Sequence, residues 1–305
     1  MRRGVIDIGT NSVKLLVADV RDANILPVRE TSCQTRLGQG LYEGGKLQPG
    51  PIQATVSAIS ELLDLAKGDD CGDTRIIATS AVREAANARE LLDAIGQSTM
   101  VLSGDDEARL AFGGVLSCPR LANRPALVVD VGGGSTEFIV GDADGMRHHV
   151  SLPLGSVRLM EGHPVSDPPA IGESETILES INGNLGEASL PGLRAHLDVL
   201  GVLPTFVTIG SGGMAGILAK MELAADDYDR ERMEAVELPL NRVTVWRERL
   251  WGMPLARRRE ITGLPSNRAD VALYGSLIYE QLMRQLGLAV LRVSTRGIRF
   301  GVLRS

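Results

Sequence analysis

The stretch that decides the fold is Ala126 to Asp142, ALVVDVGGGSTEFIVGD, which places carboxylates and hydroxyls around three consecutive glycines. Residues 126–129 are apolar and rich in valine, which predicts a buried strand, and residues 138–140 predict the strand that returns beside it. Because glycine has no Cβ, the turn at residues 132–134 can direct several backbone N–H groups toward an anion. The stretch therefore predicts a β-hairpin whose turn binds phosphate.

Two carboxylates, Asp130 and Glu137, flank this turn. Carboxylates beside a polyanion would repel it, so their presence is best explained by a divalent cation or an attacking water between them. A Gly-rich turn capped by polar residues is the structural alternative, and the number of polar groups around the turn favours a functional site. The predicted phosphate-binding residues of the turn are Gly132, Gly133, Gly134, Ser135 and Thr136.

The same pattern occurs a second time near the start of the chain. Residues 7–19, DIGTNSVKLLVAD, align without a gap on residues 130–142, DVGGGSTEFIVGD, and Asp, Gly, Ser, Val and Asp recur at the same offsets. A repeat of this kind indicates two homologous domains, each built around one hairpin. A ligand held between them would face Asp7 from one side and Asp130 from the other. The first hairpin adds the predicted substrate-binding residues Thr10, Asn11, Ser12 and Lys14.

Three further segments predict groups near this site. Residues 36–40, RLGQG, predict a turn that approaches it. Arg83 follows a strand predicted over residues 75–79, where it is either a phosphate ligand at the carboxyl end of the strand or half of a surface salt bridge. Residues 205–216, TFVTIGSGGMAG, predict a strand that enters a helix, and Gly212 and Gly213 at the helix start would offer N–H groups to an anion.

Residues 103–109, SGDDEAR, predict the start of another helix. Ser103 and Asp106 fit the Ser-x-x-acid capping box, so Asp106 has a structural explanation. Glu107 has two possible roles, since it could favour the helix dipole or point across the cleft as a general base. The pattern alone leaves both open.

Composition restricts the classes of protein. The chain of 305 residues is long enough for two domains, and its net charge of -6 disfavours a nucleic-acid partner. No apolar run is long enough to cross a membrane, and Asp7 interrupts the apolar stretch after the first arginines, so we expect neither a membrane partner nor a signal peptide, and a cytoplasmic protein. The three cysteines have no metal-like spacing and predict neither disulfides nor a zinc site.

Nine stretches together resemble the exopolyphosphatase and guanosine pentaphosphate phosphatase family. In chain order they are DIGTNSVKLLV, RLGQGL, ATSAVREAAN, SGDDEARLAF, VVDVGGGSTEF, SLPLGSVRL, TIGSGGMAGILA, GLPSNRADV and RGIRFGVL. The resemblance implies an α/β fold of the duplicated actin-like, hexokinase-like and ribonuclease H-like kind, with a cleft between two domains. We expect the domains at residues 1–121 and 122–305, with the last segment packed back on the first domain.

The resemblance also implies roles for single residues. The general base of the family corresponds to Glu107, and the acid that precedes it in the family motif is Asp106 in this chain. Asp130 and Glu137 correspond to the acids associated with Mg²⁺, or another divalent cation, and with the attacking water, so Glu137 counts as catalytic as well as metal-binding. Arg83 and Arg299 are expected to bind substrate.

The function that the resemblance implies is hydrolysis of the terminal phosphate of inorganic polyphosphate, with release of orthophosphate. The alternative within the family is removal of the 5′ terminal phosphate of guanosine pentaphosphate. Alternatives of another class are an actin-like small-molecule kinase and a polyphosphate sensor without catalysis. The resemblance also implies a homodimer, and longer relatives carry a C-terminal His-Asp domain that this sequence stops before.

Overall fold

The computed structural model describes residues 1–21, 24–122, 124–186, 190–200 and 205–305. The chain divides into two compact units, of which the first contains Met1–Ala122 together with Arg296–Ser305, and the second contains Asn123–Thr295. The boundary lies one residue after the division expected from the sequence. No helix in the described ranges combines the length and the apolar character needed to cross a bilayer.

Each unit is built around one mixed sheet. The strands are β1 (Arg2–Ile8), β2 (Ser12–Arg21), β3 (Asn24–Gln34), β4 (Asp73–Ala78), β5 (Thr99–Val101), β6 (Ala126–Val131), β7 (Thr136–Asp142), β8 (Gly145–Leu152), β9 (Val207–Ser211), β10 (Glu237–Pro239) and β11 (Val290–Val293). The first sheet has the order β3-β2-β1-β4-β5, and the second has the order β10-β11-β9-β6-β7-β8. Without β10, the second order is the first one read from the other end.

Strand directions agree as well as strand order. β1 runs antiparallel to β2 and parallel to β4, and β6 runs antiparallel to β7 and parallel to β9. The two hairpins predicted from the sequence repeat therefore hold the same place in two sheets of the same topology. This confirms the duplicated fold, and β10 is an addition at the edge of the second sheet.

Helices cover these sheets. In chain order they are α1 (Leu41–Gly44), α2 (Pro49–Gly68), α3 (Ser80–Glu84), α4 (Ala88–Ile95), α5 (Gly104–Val115), α6 (Ser156–Gly162), α7 (Glu173–Asn184), α8 (Pro191–Leu200), α9 (Gly212–Leu223), α10 (Arg230–Glu234), α11 (Leu240–Trp251), α12 (Leu255–Arg258), α13 (Val271–Leu286) and α14 (Ile298–Arg304). A 3₁₀ turn, Ser266–Arg268, precedes α13.

The apolar runs of β1 and β2 are continuous because both faces of the first sheet are covered. Successive strand residues point to opposite faces, so Ile6 packs in the cluster that contains Leu62 of α2, whereas Val5 packs in the cluster that contains Phe300 of α14. The second sheet has one large core, in which Val129 and Phe138 pack with the helices of that unit. In each unit, the hairpin that carries the predicted phosphate-binding turn packs in the core of that unit.

Candidate active site

The two predicted turns close in the same way. The N–H of Gly9 donates to the carbonyl of Ser12 at 3.1 Å, and the N–H of Gly132 donates to the carbonyl of Ser135 at 2.9 Å. The register is also the same, since Asp7 lies opposite Lys14 and Asp130 lies opposite Glu137. The sequence repeat is therefore a repeat of backbone geometry, with a lysine in one hairpin where the other has a glutamate.

The segment at residues 36–40 donates hydrogen bonds to the first turn. The carbonyl of Thr10 accepts from the N–H of Gly38 at 2.8 Å, and the carbonyl of Asn11 accepts from the N–H of Arg36 at 3.1 Å. A Cβ on Gly38 would lie 2.4 Å from Cγ2 of Thr10, so only glycine permits this approach. The predicted turn therefore contacts the first hairpin turn. Thr10, Asp7 and Ser12 are buried.

Asp130 and Glu137 are cross-strand partners, so their side chains lie on the same face of the sheet. Each carboxylate accepts a hydrogen bond from a serine hydroxyl. Ser211 donates to Oδ2 of Asp130 at 2.9 Å, and Ser151 donates to Oε1 of Glu137 at 3.2 Å. Glu137 is buried and Asp130 is half-buried. The hydroxyls thus hold two neighbouring carboxylates in defined orientations beside the glycine turn.

The glycine turn presents N–H groups. Within the described part of the chain, the N–H groups of Gly133, Gly134 and Ser135 donate to no protein acceptor. The hydroxyl of Thr136 donates to the carbonyl of Leu154 at 2.5 Å, which leaves Thr136 with a structural role. Backbone N–H groups that converge in a turn form an anion-binding site, as the sequence predicts here.

The junction of β9 and α9 lies directly against Asp130. Gly212 has φ +80°, a conformation that favours glycine, and a Cβ there would lie 2.1 Å from Oδ1 of Asp130. The neighbouring Gly213 would place a Cβ 2.9 Å from Nη1 of Arg268. The structure therefore brings three predicted groups together in the second unit, namely the glycine turn, the carboxylate pair and the start of α9.

Arg268 lies beside the candidate site, and the sequence analysis does not identify it. The sequence pattern predicts a helix over residues 268–286 that would include Arg268. In the structure α13 begins at Val271, and Arg268 lies in the preceding 3₁₀ turn. Burial lowers the pKa of its guanidinium, but arginine remains cationic at neutral pH. The signal that could have found it is the polar SNR segment between a Gly-Leu-Pro turn and an apolar helix.

The N-terminus of α5 has the predicted capping arrangement. The Ser103 hydroxyl accepts from the N–H of Asp106 at 3.1 Å and donates to Oδ2 of Asp106 at 2.7 Å. The Ser103 hydroxyl and the Arg109 guanidinium hold the pKa of the Asp106 carboxyl below its ordinary value. Asp106 therefore has the structural role that the sequence indicates.

Glu107 forms an ion pair with Arg83. Nη1 of Arg83 lies 2.8 Å from Oε2 of Glu107 and also donates to the carbonyl of Leu102 at 2.9 Å. Glu107 is 15% exposed, so the pair is more enclosed than a surface salt bridge. For Arg83 the sequence leaves two roles open, a phosphate ligand and a salt bridge. The structure shows a salt bridge, and its partner is Glu107, the predicted general base.

Arg299 lies elsewhere in the first unit. Its Nη1 donates to the carbonyl of Leu15 in β2 at 2.8 Å, and its Nη2 lies 3.5 Å from Oε2 of Glu30 in β3. These contacts hold α14 against the sheet and give Arg299 a structural role. Its expected contact with substrate stays a prediction.

The described residues contain no cluster of three or more histidine, cysteine, aspartate or glutamate side chains that could hold a metal ion. A site for Mg²⁺ does not need one, because Mg²⁺ in phosphate-transfer sites is commonly held by one or two carboxylates, water and the phosphates themselves. Asp130 and Glu137 supply two hard oxygen ligands of this kind. Their chemistry therefore fits Mg²⁺.

Comparison with known proteins gives one family. Residues 16–305 match the family model of the Ppx/GppA phosphatase family. Exopolyphosphatase 2 of Mycobacterium tuberculosis is 31% identical over 321 residues, which cover 99% of this chain and 97% of the relative. A crystal structure of the Aquifex aeolicus member of the Ppx/GppA family is 29% identical, with a TM-score of 0.78 and coverage of 100% and 96%.

An exopolyphosphatase structure from Cytophaga hutchinsonii, 24% identical over 99% of this chain and 96% of that one, has a TM-score of 0.85 and supports the fold alone. These likenesses confirm the actin-like fold class expected from the sequence.

Proposed function

The chain belongs to the Ppx/GppA phosphatase family, and from this premise we propose that it hydrolyses the terminal phosphoanhydride bond of inorganic polyphosphate and releases orthophosphate. The observation that carries the proposal is the second hairpin, where Asp130 and Glu137 lie on one face beside a glycine turn whose N–H groups donate to no acceptor within the described residues. The relative named exopolyphosphatase matches over nearly its whole length and supports the choice of substrate.

The phosphate-binding groups would be backbone donors of the second unit. The N–H groups of the glycine turn and of the start of α9 are suited to the non-bridging oxygens of the terminal phosphate, because fixed amide dipoles need no reorganisation as charge develops. Arg268, whose Nη1 lies close to Gly213, would add a cationic donor.

Asp130 and Glu137 would hold Mg²⁺ or another divalent cation. When bound, the cation would neutralise charge on the phosphates. In its absence two carboxylates beside a polyphosphate would oppose binding. The hydroxyls of Ser211 and Ser151 hold the two carboxylates in fixed orientations, as cation ligands require.

Glu107 would act as the general base. Its carboxylate would accept a proton from water as the water oxygen attacks the terminal phosphorus and the bridging P–O bond breaks, so that the shortened chain leaves with the electron pair. Arg83 donates to Oε2 of Glu107 at 2.8 Å and would keep the carboxylate oriented before attack. In-line displacement of this kind depends mainly on positioning and on charge stabilisation.

Parallel assays of orthophosphate release test this proposal. Purified protein receives short polyphosphate, long polyphosphate, guanosine pentaphosphate or ATP, each with Mg²⁺. We expect release from polyphosphate. Release mainly from guanosine pentaphosphate would identify the alternative substrate of the family, loss of ATP that depends on an acceptor would identify a kinase, and binding of polyphosphate without release would identify a sensor.

We also propose a homodimer in the cytoplasm. The dimer rests on the family resemblance alone and the location on the composition of the chain. Light scattering at several protein concentrations tests the dimer, and a single species with the mass of one chain would contradict it.

A further inference from the structure

The carbonyl side of the glycine turn packs against the start of α6. The N–H of Ser156 donates to the carbonyl of Gly132 at 3.0 Å, and the N–H of Val157 donates to the carbonyl of Gly133 at 2.8 Å. A Cβ on Gly155 would lie 2.3 Å from the Gly133 oxygen, so glycine is required where the two segments meet. The first N–H groups of α6 are therefore used on the turn itself.

The third carbonyl of the turn is held by a side chain. Nε of Arg158 donates to the carbonyl of Gly134 at 2.7 Å, and the N–H of Arg158 donates to the carbonyl of Gly133 at 3.0 Å. Arg158 is half-buried. A hydrogen bond from a cation is stronger than one between neutral groups, so this contact is a firm one. All three glycine carbonyls are thus engaged by residues 156–158.

These bonds orient the N–H groups on the opposite side. In a planar trans peptide the C=O of one residue and the N–H of the next point in opposite directions. Fixing the carbonyls of the three glycines therefore fixes the N–H groups of Gly133, Gly134 and Ser135, which are the groups with no acceptor inside the described chain. If the Gly134–Ser135 peptide turned over, a carbonyl oxygen would face the phosphate and repel it.

We propose that Arg158 is a positioning residue of the phosphate-binding turn, acting through the carbonyl of Gly134 to hold the Ser135 N–H toward the substrate. The inference rests on the proposed function and adds to it a residue that does not touch the reacting atoms. In the first unit the carbonyls of Thr10 and Asn11 are held by the main-chain N–H groups of Gly38 and Arg36. In the second turn the carbonyl of Gly132 also accepts from the Ser156 hydroxyl at 3.3 Å, and the carbonyl of Gly134 accepts from the Arg158 side chain, so that last support can be removed by substitution.

The test compares Arg158→Met, Arg158→Gln and the control Arg147→Met. Arg147 lies on β8, where it pairs with Asp142 at 3.0 Å and Asp144 at 2.6 Å at the far end of the same hairpin. Tripolyphosphate affinity is measured by calorimetry with Mg²⁺, together with kcat and KM for polyphosphate, the melting temperature, and hydrogen exchange of residues 131–136. Arg158→Gln decides the question if Arg158→Met does not fold.

We expect both Arg158 variants to bind tripolyphosphate about tenfold more weakly or worse, to raise KM, and to exchange faster at residues 131–136, with half-saturation by Mg²⁺ unchanged. Arg147→Met should match the wild type in all of these. Arg158 variants with affinity and exchange within twofold of the wild type would overturn the positioning role.

The two proposals fail separately. If the wild type binds tripolyphosphate but releases no phosphate from any polyphosphate, the proposed function falls, and the affinities of the variants still decide the role of Arg158. If the wild type binds no tripolyphosphate at all, both proposals are overturned.

Discussion

Two adjacent acids at the start of α5 have separate partners. Asp106 exchanges hydrogen bonds with Ser103 at the helix cap, whereas Glu107 pairs with Arg83. Neighbouring helix residues point about 100° apart, so one side chain can serve the helix end while the other faces elsewhere. The difference in partners suggests that substitution can separate the two roles.

Glu107→Gln is expected to lower kcat by about 10²- to 10⁴-fold, because glutamine cannot accept the proton, while polyphosphate affinity and melting temperature stay close to the wild type. Asp106→Asn is the matched neighbour and should lower the melting temperature slightly with turnover little changed. Single-turnover rates and thermal melts measure both. A Glu107→Gln protein that keeps most of its turnover would remove Glu107 from the role of base.

Part of the candidate site could be predicted because its residues lie close together in the sequence. The glycine turn, the capping serine and the neighbouring acids are encoded within a few residues of one another, so pattern alone locates them. Arg158 could not be found in this way, since it binds a glycine carbonyl from a different segment, and the local signal for Arg268 was the polar SNR segment. The family resemblance implies a substrate contact for Arg299, which stays a prediction, and its contacts with Leu15 and Glu30 could not be predicted because both lie far away in the sequence.

At the scale of elements, α14 and α5 approach through glycine. A Cβ on Gly301 would lie 1.9 Å from the carbonyl oxygen of Leu110, and one on Gly114 would lie 2.0 Å from the carbonyl oxygen of Gly297. Since α5 also carries Glu107, the position of the proposed base depends on this contact. The last helix of the chain therefore supports the helix that carries the proposed base.

Gly301→Ala is expected to push the two helices apart, destabilise the protein by about 1 to 3 kcal/mol and lower kcat. The control is Gly113→Ala in α5, where a Cβ meets nothing within 4 Å. That substitution should be neutral or stabilising by up to about 1 kcal/mol, because alanine is the better helix former. Urea unfolding and phosphate release measure both. Equal stability of the two variants would contradict the close packing.

Two other helices, α11 and α13, are joined through a buried carboxylate. Glu280 of α13 accepts from Thr244 of α11 at 3.0 Å and from Arg284 at 2.8 Å, and it also pairs with Arg247. Burial alone would raise the pKa of Glu280, and the hydrogen bonds from Arg247 and Arg284 outweigh burial and lower it. A lowered folded-state pKa means that the ionised form stabilises the fold.

Glu280 should make the free energy of unfolding depend on pH. The stabilisation by Glu280 is present above its unfolded pKa of about 4.5 and is lost as the pH falls through the lower folded-state pKa. Glu280→Gln should therefore be less stable than the wild type at neutral pH, and the difference in the free energy of unfolding should shrink below about pH 4.5. Urea unfolding at several pH values measures it, and a difference that does not change with pH would exclude this linkage.

At the scale of the whole molecule, two sheets of one topology explain why a single chain carries two similar turns. Repeated patterns of apolar strand, glycine and carboxylate predicted this duplication, because the strand period and the turn residues are local. The added strand β10 could not be predicted, since a three-residue edge strand has too few residues to show a period. The residue opposite the aspartate differs between the two hairpins, since it is Lys14 in the first and Glu137 in the second. The carboxylate pair therefore lies in the second unit.

Hydrolysis at the second hairpin should depend on Mg²⁺ through Asp130. Orthophosphate release from polyphosphate is measured as a function of Mg²⁺ for the wild type, Asp130→Asn and the control Asp142→Asn. Asp142 lies at the far end of the same hairpin, paired with Arg147. We expect no release in chelator, and a half-saturating Mg²⁺ concentration raised about tenfold or more in Asp130→Asn alone, since the amide keeps the shape of the carboxylate and loses its charge. Full release in chelator, or the same Mg²⁺ dependence in wild type and Asp130→Asn, would contradict the claim that the second hairpin is the centre of a metal-assisted phosphate hydrolysis.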